Sequence, residues 1–320
     1  MKSKLLILCT LVAVTIFTAC SQKGGKMHQP NITLDFDTLW QFNKPAETRT
    51  KFEDLLLESF KKGDKSYHLQ LVTQLARTYS LEGNFDKAHE LLNEIEQEGI
   101  DTLPLVKVRY LLERGRTYRS AKEVEKSIPL FEEAWNLAND LGEDFFAIDA
   151  AHMMAIAVDG FDNRMKWSLL ALDKAENSTS ERAQKWKGSL YNNIGWDYHD
   201  NKQYEKALEL FQKAQSFREK QGSEMETRIA KWCVARCLRS LERYDEALDI
   251  QQDLQNSYNN SGENRGYNYE ELGELYLIKS DTALAEKNFA TAYEYLSKDN
   301  WMMENEVERM ERIKKLGKVQ

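Results

Sequence analysis

The 320-residue sequence predicts an all-α protein, a right-handed α-solenoid of about six helical hairpins with a C-terminal capping helix. Three observations predict it. The chain has only 4 prolines and 15 glycines, too few for an all-β chain full of tight turns and suited to long helices. Its 42 % hydrophobic and 30 % charged residues are those of a globular protein, not a disordered or fibrous one. From residue 65 onward the chain is self-similar at intervals of 38 to 40 residues. A mean hydropathy of −0.65 excludes a polytopic membrane protein. The net charge of −8 argues against a nucleic-acid binder with a general basic face.

Residues 1–19 read as a targeting segment: Lys2 and Lys4, an apolar run from Leu5 to Phe17, then Thr18 and Ala19. The run is shorter than the roughly 20 residues a spanning helix needs. Phe17-Thr18-Ala19-Cys20 resembles a bacterial lipobox, with Phe17 where that motif usually has Leu, Val or Ile. The resemblance implies lipidation of Cys20 as the mature N-terminus and attachment to a membrane; the alternative is an ordinary signal peptide cut near Ala19. Ser21 resembles the outer-membrane sorting signal, and Gln22-Lys23-Gly24-Gly25 lacks the acidic cluster of some surface-exported lipoproteins. The expected location is therefore the bacterial envelope, at the outer membrane facing the periplasm. Without residues 1–19 the chain has 42 basic and 52 acidic residues (44 minus Lys2 and Lys4), a net of −10.

Residues 20–45 contain Gly24-Gly25, Pro30 and Pro45 and no helical period, and are expected to be a tether from which Trp40 and Phe42 can dock on the folded body. Residues 46–64 carry Phe52, Leu55, Leu56 and Phe60 at helical spacing and predict an N-terminal capping helix. The array follows over 65–299. Its clearest copies are Tyr191, Ile194-Gly195, Tyr198, Ala207, Phe211, Ala214 and Tyr269, Leu272-Gly273, Tyr276, Ala285, Phe289, Ala292, with identical spacing. The same frame fits copies at Ala76, Gly115 and Ala235, and a weaker copy at Ala155 has a one-residue slip before Ser168, Leu172 and Ala175. This pattern resembles the tetratricopeptide repeat, with Tyr in place of its first Trp. The small anchors at 76, 115, 155, 195, 235 and 273 are further apart than the family's usual spacing of about 34. The extra residues are expected in the second helices and in inter-repeat turns such as 177–180 and 257–266. Pro129 is expected early in a second helix, where its missing N–H matters little. Residues 300–320 predict the capping helix and tail, with Trp301, Met303, Val307, Met310 and Ile313 as its apolar stripe. A homodimer contact through that helix is the alternative.

No catalytic constellation is present. There is no G-x-S-x-G, phosphate-binding glycine loop or C-x-x-C pair. His89-Glu90 begins a zinc-protease-like motif, but Asn93 stands where the second histidine belongs. No cofactor or metal is implied, and an enzyme is the weakest reading. Cys233 and Cys237 lie four apart on one helix, near the upper limit of disulfide geometry, and read as buried small residues.

In tetratricopeptide arrays the residues three before, one after and four after the small anchor line the concave groove. Here that resemblance marks Thr73, Arg77, Ser80; Leu112, Arg116, Arg119; His152, Ile156, Asp159; Asn192, Trp196, His199; Trp232, Arg236, Arg239; and Glu270, Glu274, Leu277. Five are arginine and three are acidic, so the stripe is positive in an acidic protein, and all its positive charge precedes the sixth repeat. Trp196 and Trp232 come from adjacent repeats. Arginine and tryptophan dominate binding hot spots, and arginine grips carboxylates bidentately. The candidate binding residues are therefore Arg77, Arg116, Arg119, Asn192, Trp196, His199, Trp232, Arg236, Arg239 and Glu270. Of the family's carboxylate-clamp set only Asn193 is matched, which leaves that specificity unsupported. The expected function is a non-catalytic scaffold for a segment of another envelope protein. The alternatives are a sensor that acts through a separate output protein, or a nutrient-capture lipoprotein.

Overall fold

The computed structural model describes residues 34–320 apart from residue 264; the expected signal peptide and the expected lipidation site, Cys20, lie outside the described residues. Every regular element described is helical. A 3-10 turn, Phe36–Leu39, leads into α1 (Pro45–Lys62). Six hairpins follow. They are α2 (Lys65–Leu81) with α3 (Phe85–Gln97), α4 (Pro104–Ser120) with α5 (Val124–Asp140), and α6 (Asp144–Ala157) with α7 (Phe161–Asn177). After a single turn, α8 (Glu181–Gln184), come α9 (Lys187–Asp200) with α10 (Tyr204–Gln221). The last two hairpins are α11 (Glu224–Ser240) with α12 (Tyr244–Ser261) and α13 (Gly266–Ile278) with α14 (Thr282–Leu296). Helices α15 (Asn300–Asn305) and α16 (Val307–Leu316) close the array, α16 packing on α14.

Three hairpins, α4 with α5, α9 with α10 and α13 with α14, are locked by the same contact between their two helices. Phe131, Phe211 and Phe289 are fully buried, each against the small anchor of its partner helix. A Cβ on Gly195 would stand 2.6 Å from the Phe211 ring, so only glycine admits that approach. Leu92 and Leu172 take the same place in the first and third repeats, and the fifth has Gln251, fully buried and hydrogen-bonded to Asn268. The turn inside each hairpin also repeats: seven residues after the anchor stand Gly83, Lys122, Lys202, Glu242 and Ser280, all with positive φ. In the third repeat the left-handed residue is Gly160, five after the anchor, and this shorter turn accounts for the slip seen in the sequence.

Four expectations are corrected. The extra residues lengthen first helices too, with 17 in each of α2, α4 and α11, and α12 runs through Ser261 where a turn was expected. Pro129 is the sixth residue of α5, past the first turn, and removes one helical N–H there. Residues 35–42, drawn as part of the tether, are docked on the array. The capping helix breaks at Glu306, which changes its phase: Met302, Met310 and Ile313 are buried, while Trp301 (58 %), Met303 (39 %) and Val307 (53 %) are exposed.

Candidate binding groove

The first helices of the hairpins form one continuous face, and its two halves are built differently. The early half is roofed. Residues 35–42 cross α2, α4 and α6 as a strap, anchored by Phe36, which packs edge-on against Phe52 and Tyr67. Trp40 stacks on Phe42 and donates its Nε1–H to Gln74 Oε1 at 3.0 Å. Asp37 accepts from Arg109 of α4 at both oxygens and from Arg182 of α8 at 2.6 Å. Burial opposes the Asp37 charge, but the two guanidinium groups overcome it and hold the carboxyl below its ordinary range. Arg109 lies between the Phe36 and Phe146 rings, 5.0 and 4.7 Å from their centroids.

The arginines marked from the sequence are present on this face, but most are already paired. Arg77 and Arg116 both donate to Glu113 Oε1, at 3.4 and 2.7 Å, and Arg116 also pairs with Asp149. Burial opposes both partners of that pair. Asp149 is nevertheless held below its usual range, by Arg116 and then Arg77, and Arg116 is raised by Asp149 and Glu113. Burial and the neighbouring Arg116 lower Arg77. Thr73 and Leu112 are buried. Of the early arginines only Arg119 has no carboxylate among the described residues; its Nε donates to the Ile156 carbonyl at 3.3 Å. A charge reversal at Arg116, which sequence alone would offer as a harmless test of binding, would bring a third carboxylate to Glu113 and Asp149.

The late half is open. Trp196 and Trp232 are half-buried with centroids 6.1 Å apart. Trp196 rests edge-on against Phe211, and Trp232 donates to the Tyr267 carbonyl at 3.2 Å. Arg239 grips Glu271 bidentately at 2.7 and 2.8 Å, and Arg236 reaches the same carboxylate at 3.2 Å. His199 is buried beside Trp196, its Nε2 2.9 Å from Ser240 Oγ, and burial followed by Arg236 lowers its basicity. Asn192 is turned inward, accepting from Cys233 Sγ at 3.3 Å. Glu270 is buried under Arg309, and Glu274 pairs with Arg312, so α16 covers the sixth repeat's share of the stripe.

The sequence stripe passed over Glu113, Asp149, Glu271 and Asp37. Glu113 was legible, since it precedes Arg116 by three residues, the spacing of facing side chains on one helix. The other three reach their arginines from a different element. Burial pushes the Cys233 and Cys237 thiols up to about 12 and about 11, and both are free. His89 and Asn93 together hold Arg114, at 2.9 and 2.6 Å.

A tetratricopeptide-repeat family profile matches residues 188–220, nearly all of α9 and α10. The fold is that of a tetratricopeptide-like α-solenoid. Among solved structures the array is similar to the apo form of RapI, at 16 % identity over 83 % of this chain and 74 % of that one, with a TM-score of 0.66. It is also similar to a signal-transduction ATPase with a tetratricopeptide-repeat sensor from Pyrococcus horikoshii, at 16 % identity, 84 % and 44 % coverage and a TM-score of 0.63. Aspartyl phosphate phosphatase F from Bacillus subtilis aligns at 15 % identity, 89 % and 80 % coverage and a TM-score of 0.56. At these identities the tetratricopeptide likeness is one of fold. Comparison with curated proteins returns no match.

Proposed function

We propose that this solenoid is a non-catalytic scaffold that binds an acidic segment of another envelope protein along α9 and α11, and is held to the membrane by lipid on Cys20. One observation carries the reading. In the late half, Arg236 and Arg239 share the single carboxylate of Glu271 beside the half-exposed Trp196 and Trp232. One positive charge is therefore left over next to two aromatic rings, a pairing typical of hot spots. Ser21 supports an outer-membrane, periplasm-facing position. Self-association through α15 and α16 is the other route to a partner and rests on the exposed Trp301, Met303 and Val307.

The test is affinity capture from detergent-solubilised envelopes with the wild type and Trp196→Ala/Trp232→Ala, both first shown to fold equally. Proteins retained by the wild type and lost by the variant are expected. Identical sets on both would move the interface to another face. Cys20→Ala is expected to release the protein from membranes, and continued membrane association would reject the lipid anchor.

A further inference from the structure

Beneath the strap lies a cavity of about 660 Å³. Its size falls in the range of about 300–1000 Å³ that small organic ligands occupy. It is independent of the late-half face just described. The strap supplies Trp40 and Phe42 to its wall, α6 supplies Phe145 and Phe146, and the turn after α8 supplies Lys185 and Trp186. The lining charge is balanced, with Arg77, Arg109, Arg182 and Lys185 against Asp35, Asp37, Glu113 and Asp149. A ligand bearing one sign of charge gains little from such a lining.

The hydrogen bonding of that lining is incomplete in both senses. Glu113 Oε1 accepts from Gln74, Arg77 and Arg116, while Glu113 Oε2 is buried with no donor. The Nε–H groups of Arg77 and Arg109 and the indole N–H of Trp186 are buried with no acceptor. Lys185 has no ion-pair partner among the described residues. Buried polar atoms are almost always satisfied, and a cluster of exceptions around one cavity calls for an occupant. The occupant must bring a donor for the carboxylate oxygen and acceptors for the N–H groups, on an apolar body that fits among aromatic rings.

We infer that this cavity binds a small zwitterion, an amino acid or short peptide with free termini and an apolar side chain. The ammonium group donates to Glu113 Oε2. The carboxylate accepts from the Trp186 indole N–H and pairs with Lys185. The side chain packs against Phe145, Phe146 and Trp40, where desolvation strengthens both polar contacts.

The test is titration calorimetry on the full chain in detergent with L-phenylalanine, Phe-Ala and Phe-Ala-Ala, compared with N-acetyl-Phe-Ala and Phe-Ala-amide. Saturable 1:1 binding of at least one free-ended probe is expected, with at least tenfold weaker binding of each blocked form. Glu113 also carries Arg77 and Arg116 and is a poor choice for substitution. Trp186→Phe keeps one aromatic ring while removing the indole N–H, and Lys185→Ala removes an exposed charge. Each is expected to weaken binding at least fivefold with the thermal midpoint preserved, while Trp232→Ala leaves it unchanged. A response to L-phenylalanine alone would mark a free amino acid as the ligand, and a preference for the longer probes a peptide. No binding by any free-ended probe would overturn the proposal and leave ordered water as the occupant. Equal affinity for blocked and free forms, or loss through Trp232→Ala with none through Trp186→Phe, would also overturn it.

Discussion

The two halves of the first-helix face share one packing scheme and differ in what covers it. In the early half the strap lies over the helices, Asp37 neutralises Arg109 and Arg182, and Arg77 and Arg116 meet Glu113 and Asp149 within the array. In the late half nothing described crosses α9 and α11, and two arginines share one carboxylate. The same repeat thus makes a roofed compartment at one end and an open, faintly positive surface at the other. Repeat identity fixes where side chains point, and the elements outside the repeats decide which of them a partner can reach.

The strongest way to test the shared scheme is to remove its lock. Phe131→Ala and Phe211→Ala are each expected to cost about 3–5 kcal/mol, measured by urea unfolding. A loss twice as large in one half as in the other would break the claim that the halves pack alike. The roof depends on Arg109, whose side chain is 7 % exposed. Arg109→Ala is expected to cost about 3 kcal/mol, because Asp37 stays buried with one partner fewer. Limited proteolysis should then cut within residues 35–44, which the wild type protects. In the late half, Trp232→Ala is expected to weaken partner binding by about 2 kcal/mol while changing stability less, since its ring is half-buried.

Acid sharpens the contrast further. The folded-state pKa of Asp37 is depressed, so between that value and its ordinary 3.8 the unfolded chain binds more protons than the folded one. The contribution of Asp37 is complete above the ordinary value and is lost as pH falls through the folded one. Protection of the amides of residues 36–42, measured as exchange relative to the intrinsic rate at each pH, should fall in that acidic window and not between pH 5 and 7. The smallest effect is expected at Arg312→Ala, whose side chain is 50 % exposed; thermal unfolding should register no more than about 1 kcal/mol.

What could be read from the sequence follows from how local each feature is. The anchors at Gly115, Gly195 and Gly273 and their phenylalanines repeat at fixed spacing, so period alone located the hairpins and their lock. The same frame set Trp196 and Trp232 on neighbouring helices and pointed to their adjacency. The neutralisation of the arginines by carboxylates on other elements was not legible. Asp37 reaches Arg109 across 72 residues, Arg116 reaches Asp149 across 33 and Arg239 reaches Glu271 across 32, and each of these pairs joins separate elements. The frame also assigned the stripe three positions per helix, whereas Glu113 and Glu271, two before their anchors, belong to the same surface. At the C-terminus the break at Glu306 moved Met302 into the core in place of its neighbours, a change of phase that no periodic reading registers.

The strap has a further consequence for how the molecule comes apart. In a linear array each repeat touches only its neighbours, so unfolding can start at either end and proceed one hairpin at a time. The bond from Asp37 to Arg182 spans 145 residues and encloses three complete hairpins in one loop. That closure can form only after those hairpins have stacked, and its entropic cost makes it a late step in folding. Once it is made, the first hairpin cannot fray without giving up a contact held by the turn beyond the third. The N-terminal end, where an open-ended array is weakest, is thereby tied to the middle of the molecule.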